Sequence, residues 1–146
     1  MKKISMLAMA FACLAYAAGA AADSTAQVVK REAPKGITTT FYSCIDKAGS
    51  DTIAIGACLS AEKATQDGRL NTTYKALLGK LKGKAKEQLV SAERAWLDSH
   101  NKNGDFEVSL YGDGSAADMQ VTQNEIFRLC ERANTLEKYL SIANDQ

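Results

Sequence analysis

One histidine, four cysteines and a scatter of carboxylates are the side chains here that could do chemistry. His100 is the only histidine, and it sits among polar residues, Ser99, Asn101 and Lys102, with no obvious partner in sequence. A Cys130–His100 nucleophile pair is conceivable, but Cys130 falls on an apolar helical stripe. A thiol there behaves as a small hydrophobe and stays inert. Carboxylates such as Glu131 and Asp145 lack an apolar pocket that would drive their pKa values apart for acid–base work. Gly112-Asp113-Gly114-Ser115 is too short to cradle a phosphate. Zinc would require close Cys or His pairs, which the spacing does not offer. The sequence predicts no enzyme, no cofactor and no metal, and no pocket that gathers His100 with a carboxylate or a thiol.

The bulk properties give an address. Lys2 and Lys3 precede an apolar run from Ile4 to about Ala18, followed by small residues up to Ala22. This reads as a signal peptide over 1–22 with an A-x-A cleavage site, and the expected location is periplasmic or secreted. The run is short and alanine-rich for a permanent span, and nothing later resembles one. Cys13 lies in the leader, with Ala10 where a lipoprotein signal would want an aliphatic residue. Of 18 basic and 17 acidic residues, the leader holds two of the former and none of the latter, so the rest carries a net −1. Such a balance disfavours nucleic acid or an anionic membrane as the main partner. The charge is uneven: Lys75, Lys80, Lys82, Lys84 and Lys86 form a run without acids. Asp98, Asp105, Glu107, Asp113 and Asp118 face only Lys102. Outside the leader, Cys44, Cys58 and Cys130 allow one disulfide and one leftover thiol.

The elements that must position these residues read as helices. Leu89, Ala92 and Trp96 lie on one face of a run without Gly or Pro, whereas Ser91, Glu93 and Arg94 point elsewhere. Trp96, the only tryptophan, is expected to be a packing anchor, worth about 1.5–3 kcal/mol when buried. Residues 23–43 read as an exposed arm with little regular structure, turning at Pro34-Lys35-Gly36. Ser50-Asp51 starts a helix that runs to Leu81. Its stripe of Ala54, Cys58, Ala61 and Thr65 slips in phase before Leu70, Tyr74, Leu77 and Leu81, so a bend or a change of packing partner is expected near Gly68. After a turn at Gly79–Gly83, a second helix begins near Lys84. Two endings remain open. Asn103-Gly104 could make a turn before a short strand of Phe106, Val108 and Leu110. A single helix could instead continue to Gly112, burying Leu89, Ala92, Trp96, Ser99, Asn103, Phe106 and Leu110, and this is preferred. The last helix, roughly Asp118 to Ala143, is marked by Ile126, Leu129, Cys130, Ala133, Leu136, Leu140 and Ala143. The predicted fold is all-α: a small antiparallel bundle of about three long helices over residues 44–146.

On these residues a family resemblance appears. Cys44, Cys58, Asp67, Leu70-Asn71, Tyr74 and the Ala76–Leu81 run ALLGKL look like the first half of the LprI-like lysozyme inhibitors. These are small exported bacterial domains. Ala92-Glu93-Arg94-Ala95-Trp96-Leu97 is similar to the family's A-Q-R-A-W signature, with Glu93 in the glutamine's place. Phe106-Glu107, Leu110-Tyr111 and Gly112–Ser115 resemble the segment that follows, and Leu129–Leu136 with Arg132 its closing helix. The likeness covers about residues 44–140.

Two departures bear on the cysteines. After the tryptophan the family usually has F-R-D and then a cysteine; here Ser99, His100, Asn101 and Gly104 stand in those places. A further family cysteine appears replaced near Asn124 or Glu125. Two losses in one chain imply that those cysteines are partners elsewhere in the family. The resemblance then implies a Cys44–Cys58 disulfide here, with Cys130 a free core thiol and Cys58–Cys130 as the alternative. Along a straight helix Cys44 and Cys58 would lie roughly 21 Å apart, against the ~5.5 Å a disulfide needs. The pairing therefore requires the arm to fold back.

The resemblance implies an exported protein that binds and inhibits a cell-wall hydrolase of lysozyme type. Asp98, Asp105, Glu107, Asp113 and Asp118 are the candidate face for a cationic lysozyme. Leu70, Asn71, Tyr74, Arg94 and Trp96 are expected to be structural, Asn71 and Arg94 as helix-to-helix polar contacts. The rival reading is a non-catalytic structural or partner-binding module of the cell envelope, without lysozyme inhibition. A conspicuous acidic or apolar patch beside residues 98–118 would favour the binder.

Overall fold

The computed structural model describes residues 23–145, so the signal-peptide expectation and Cys13 lie outside the described residues. Five helices follow in order: α1 (Thr25–Glu32), α2 (Thr39–Ala48), α3 (Thr52–Lys80), α4 (Gly83–Tyr111) and α5 (Ser115–Asn144). The all-helical expectation is met, and no strand occurs among the described residues.

The segment 23–43 corrects the expected irregular arm. Ser24 caps α1 through a capping box, its hydroxyl and the Gln27 side chain each taking the other's backbone N–H. Thr38 caps α2, accepting the Phe41 N–H at 3.1 Å. Ala26, Val29, Ile37, Phe41 and Ile45 are buried together with Leu59 and Ile126. Few apolar residues are present, and apart from the exposed Val28 they fall on the covered side. Two helices too short to stand alone therefore persist by tertiary packing. Helix α2 also runs across the expected boundary at 43/44.

Gly49 ends α2 at φ 58°, and Asp51, one residue later than expected, caps α3 by accepting from the Ile53 and Ala54 amides. The resulting hairpin brings Cys44 and Cys58 to a Cα separation of 5.7 Å, and they form a disulfide. This is the pairing the resemblance implied, reached because α2 folds back along the first two turns of α3. Cys130 is free and buried.

Helix α3 runs unbroken from Thr52 to Lys80, so no bend occurs at Gly68. The packing partner does change there, from α1 and α2 around Leu59 to α4 around Leu70 and Leu77. Its inner stripe is Cys58, Leu59, Glu62, Gln66, Leu70, Thr73 and Leu77, while Ala61 and Thr65 are exposed. The phase slip vanishes because polar residues occupy the inner positions in mid-helix. Glu62 accepts from the Thr38 amide at 3.0 Å and from its hydroxyl. Gln66 donates to the Gly36 carbonyl at 2.9 Å and to Glu62 at 2.8 Å. Gly36 has φ 111°, a conformation side chains rarely adopt, and a Cβ there would also stand 3.1 Å from Cys130 Sγ, which favours glycine.

The three long helices do not share one common seam. Lys63 meets Glu125 and Arg69 meets Glu137, so α3 and α5 run side by side in the same direction and form the main pair. Helices α1 and α2 cover one end of that pair. The first half of α4, with Leu89 and Trp96, covers the other. Helix α4 lies antiparallel to α5 and touches α3 little. Consecutive long helices thus alternate in direction as expected, and the difference from a three-helix bundle is that α4 packs on α5 and hardly on α3.

Candidate partner-binding surface

Helix α4 continues through Asn103-Gly104 to Tyr111 and stops at Gly112, where φ is 76°. The long-helix alternative holds, but its inward face does not. Leu89, Glu93 and His100 are buried on α4, Trp96 is half-buried, and Ala92, Ser99, Asn103, Phe106 and Leu110 are exposed. The helix is rotated by about one residue from the all-apolar solution. What holds it to α5 is a ladder of polar pairs.

At the lower rung Arg132 donates to Glu93 Oε2 through Nε at 3.0 Å and Nη2 at 2.6 Å. Its guanidinium carbon lies 5.7 Å from the centre of the Trp96 ring, a cation–π contact. Trp96 in turn packs on His100, ring centres 4.9 Å apart. At the upper rung Arg128 Nη1 donates to Glu107 at 2.6 Å. A Cβ on Gly104 would stand 4.0 Å from Arg128 Nη2, so this mid-helix glycine lies directly beneath the guanidinium. Between the rungs His100 Nε2 stands 3.6 Å from Glu125, which Lys63 of α3 holds at 2.8 Å.

His100, Glu125, Arg128 and Asp105 line a cavity of about 290 Å³ between α4 and α5. The expectation that no pocket would gather His100 with a carboxylate is therefore overturned. The elements responsible are far apart in sequence, so local context around His100 gave no sign of it. Burial, and then the charge of Arg128, push the His100 pKa below its ordinary value, against the opposing pull of Glu125. Both effects favour the neutral imidazole. Its distance to Glu125 exceeds that of a hydrogen bond, and no hydroxyl or thiol lines the cavity. Nδ1 of His100, Oε2 of Glu107, and Nε and Nη2 of Arg128 are buried without partners among the described residues, against Oε1 of Glu93 alone at the lower rung. The arrangement acts as a polar joint between two helices, less fully satisfied than the Glu93–Arg132 rung.

The acidic run divides. Asp98 is exposed but paired with Lys102 at 2.8 Å. Glu107 leaves the surface, turned inward onto Arg128 with its side chain only 16% exposed. Asp105, Asp113 and Asp118 are exposed on the distal half of α4, in the α4–α5 turn and in the first turn of α5. Among them stand Phe106, Val108, Leu110 and Tyr111, exposed by 62%, 54%, 61% and 45%. The expected inward placement of Phe106 and Leu110 is thus reversed, and these two, one turn apart, form an outward apolar patch. The spacing of Glu93, His100 and Glu107 was the available signal, because three ionisable residues at helical intervals can form a buried face when the next helix supplies partners.

The motif residues fall mainly on packing. Leu70 is buried, and Tyr74 and Trp96 pack against the same cluster. Asn71 donates to the Asp67 carbonyl at 2.9 Å and to its carboxylate at 3.1 Å, an intrahelical contact. Arg94 is exposed. Neither joins two helices as expected. That task belongs to Arg69, which the sequence reading passed over. It donates to both oxygens of Glu137 at 2.6 Å, to Gln66 at 3.1 Å and to Asn134. The hydrogen bond from Arg69 holds the Glu137 carboxyl below its usual pKa.

No helix among the described residues is long and apolar enough to cross a membrane. No curated protein and no solved structure matches the chain. The family model of the lysozyme inhibitor LprI matches residues 44–136, from the first disulfide cysteine to the last fully buried leucine of α5, and the chain belongs to that family.

Proposed function

We propose that this protein is exported after removal of residues 1–22 and binds and inhibits a cell-wall hydrolase of lysozyme type. Contact is made through the tip of the α4–α5 hairpin. The observation that carries the reading, beyond family membership, is the patch at that tip. Phe106 and Leu110 share one outward face one turn apart, with Tyr111 exposed in the same last turn and Val108 on the cavity side, among the exposed Asp105, Asp113 and Asp118. Apolar and aromatic side chains supply the buried centre of a protein interface, and a ring of like charge supplies orientation and on-rate toward a cationic partner. Glu107 and Arg128 hold the helix that presents the patch and do not themselves face the partner.

Lysis of a peptidoglycan substrate by a panel of lysozymes, with and without the purified protein, tests the proposal. Dose-dependent protection is expected. Undiminished lysis at large molar excess of folded protein would overturn it and leave the envelope-module reading in its place.

A further inference from the structure

The basic run at 75–86 has no part in the hairpin-tip surface. Helix α4 is 29 residues long, so its start lies about 43 Å from that tip. At this far end the last turns of α3 and α5 and the first turns of α4 enclose a groove of about 340 Å³. Leu77, Leu81, Leu89 and Ile142 form its apolar walls, and Arg132 is its one charged lining residue. The Arg132 charge is already matched, since Glu93 takes both Nε and Nη2. Ile142 is 48% exposed and Tyr139 46%, so the walls open to solvent.

The mouth of this groove is basic. Lys80 follows Leu77 by one turn, Lys82 lies in the α3–α4 link, and Lys84 precedes the lining residue Gln88 by one turn. All three are exposed and unpaired among the described residues. Lys138 adds a fourth charge one turn before Ile142, against Glu87 and Asp145 as the acids of this end. An apolar slot closed by a neutralised pair, with free ammonium groups on the neighbouring turns, suits one kind of occupant. From Ile142 to Arg132 the slot follows ten residues of α5, about 15 Å.

We infer that this groove binds a monomeric anionic amphiphile, a single acyl chain of about 15 Å lying along Leu77 and Leu89, its head group held by Lys80, Lys82 and Lys84. The tail gains by leaving water, and the head group stays hydrated among the lysines.

Trp96 reports on the site, because it is the only tryptophan and its ring lies against Arg132. Titration of the purified protein with monomeric dodecanoate should give a saturable change in tryptophan emission at one molecule per chain. Shortening the chain should weaken binding by about fourfold per methylene. Neutral dodecyl maltoside below its micelle concentration should bind about tenfold more weakly. Replacing Lys80, Lys82 and Lys84 together by Gln should remove that preference. Ala85→Phe fills the groove from an exposed position and should abolish binding, and Ala92→Phe is a second plug should the first fail to fold. Equal affinity for the neutral detergent, or binding unchanged in both folded plug variants, would overturn the inference. So would association with vesicles of anionic phospholipid when monomeric dodecanoate does not bind, which would make this end a membrane-docking surface.

Discussion

Arg132 places both Nε and Nη2 on a single oxygen of Glu93, at 3.0 and 2.6 Å, with its guanidinium against the ring of Trp96. The two side chains are only 13% and 8% exposed. Removing one partner from such a pair strands a buried charge, whereas replacing both with apolar groups of similar size removes the desolvation cost as well. Arg132→Met alone should therefore cost about 3–5 kcal/mol, and the double variant Glu93→Leu/Arg132→Met should recover most of that loss. Urea unfolding midpoints of the two single variants, the double variant and the parent provide the check.

His100 makes stability depend on pH in a definite direction. Its pKa in the folded protein lies below the ordinary 6.5, chiefly through burial and then through Arg128, with Lys63 acting the same way and Glu125 opposing. Below about pH 6.5 the unfolded chain therefore binds a proton that the folded chain resists, and stability falls as pH falls through that window. Glu137 adds a second loss at lower pH. Its folded pKa is held below the ordinary 4.5 by Arg69, so its contribution is present above that value and fades as the carboxylate is protonated. Unfolding free energy measured between pH 5 and pH 7.5 should show the first slope in the parent and lose it in His100→Gln. An unchanged slope would place the titrating group elsewhere.

Much of this architecture was legible because local pattern and tertiary packing agree. The stripe of Ile126, Leu129, Cys130, Ala133 and Leu136 is apolar and is buried in full. The reading failed where a buried face is polar. Glu62, Gln66, Glu93 and His100 occupy inner positions only because Thr38, Gly36, Arg132 and Glu125 meet them from other elements. A periodicity argument assigns such residues to solvent, and it rotated α4 accordingly. That rotation hid the exposed Phe106 and Leu110, and with them half of the candidate site. Helices α1 and α2 were missed for a related reason: they are 8 and 10 residues long and depend on contacts made from outside their own sequence.

Gly104 and Glu125 line the same cavity. These are the positions where the family resemblance leads one to expect cysteines, and their proximity supports the idea that a second disulfide joins α4 to α5 in other members. Gly104→Cys combined with Glu125→Cys, or with Asn124→Cys, should then form a disulfide on mild oxidation in one of the two pairings. A loop of this length predicts a gain of about 3 kcal/mol, less what the lost Lys63–Glu125 pair contributes. Thiol titration before and after oxidation, followed by urea unfolding, measures both. Two free engineered thiols in each variant would mean that the polar joint has no disulfide ancestor at these positions.

Substitutions in the acidic run should separate by where each side chain points. Asp105 and Asp113 are exposed, so Asp105→Lys with Asp113→Lys should leave folding intact and slow association with a cationic lysozyme by roughly tenfold at low salt. The difference should shrink as salt screens the interaction. Phe106→Ala and Leu110→Ala remove apolar contact without changing charge and should act mainly on dissociation, since contact loss within an interface falls largely on the off-rate. Glu107→Lys belongs to neither class. It places a second cation against a buried Arg128 whose Nε and Nη2 already lack partners, so its effect should be a loss of stability of about 3 kcal/mol or more. Stopped-flow association at two ionic strengths, alongside unfolding of each variant, distinguishes the three behaviours. Association rates unchanged by the double aspartate reversal would remove the acidic residues from the interface and leave the apolar patch as its whole basis.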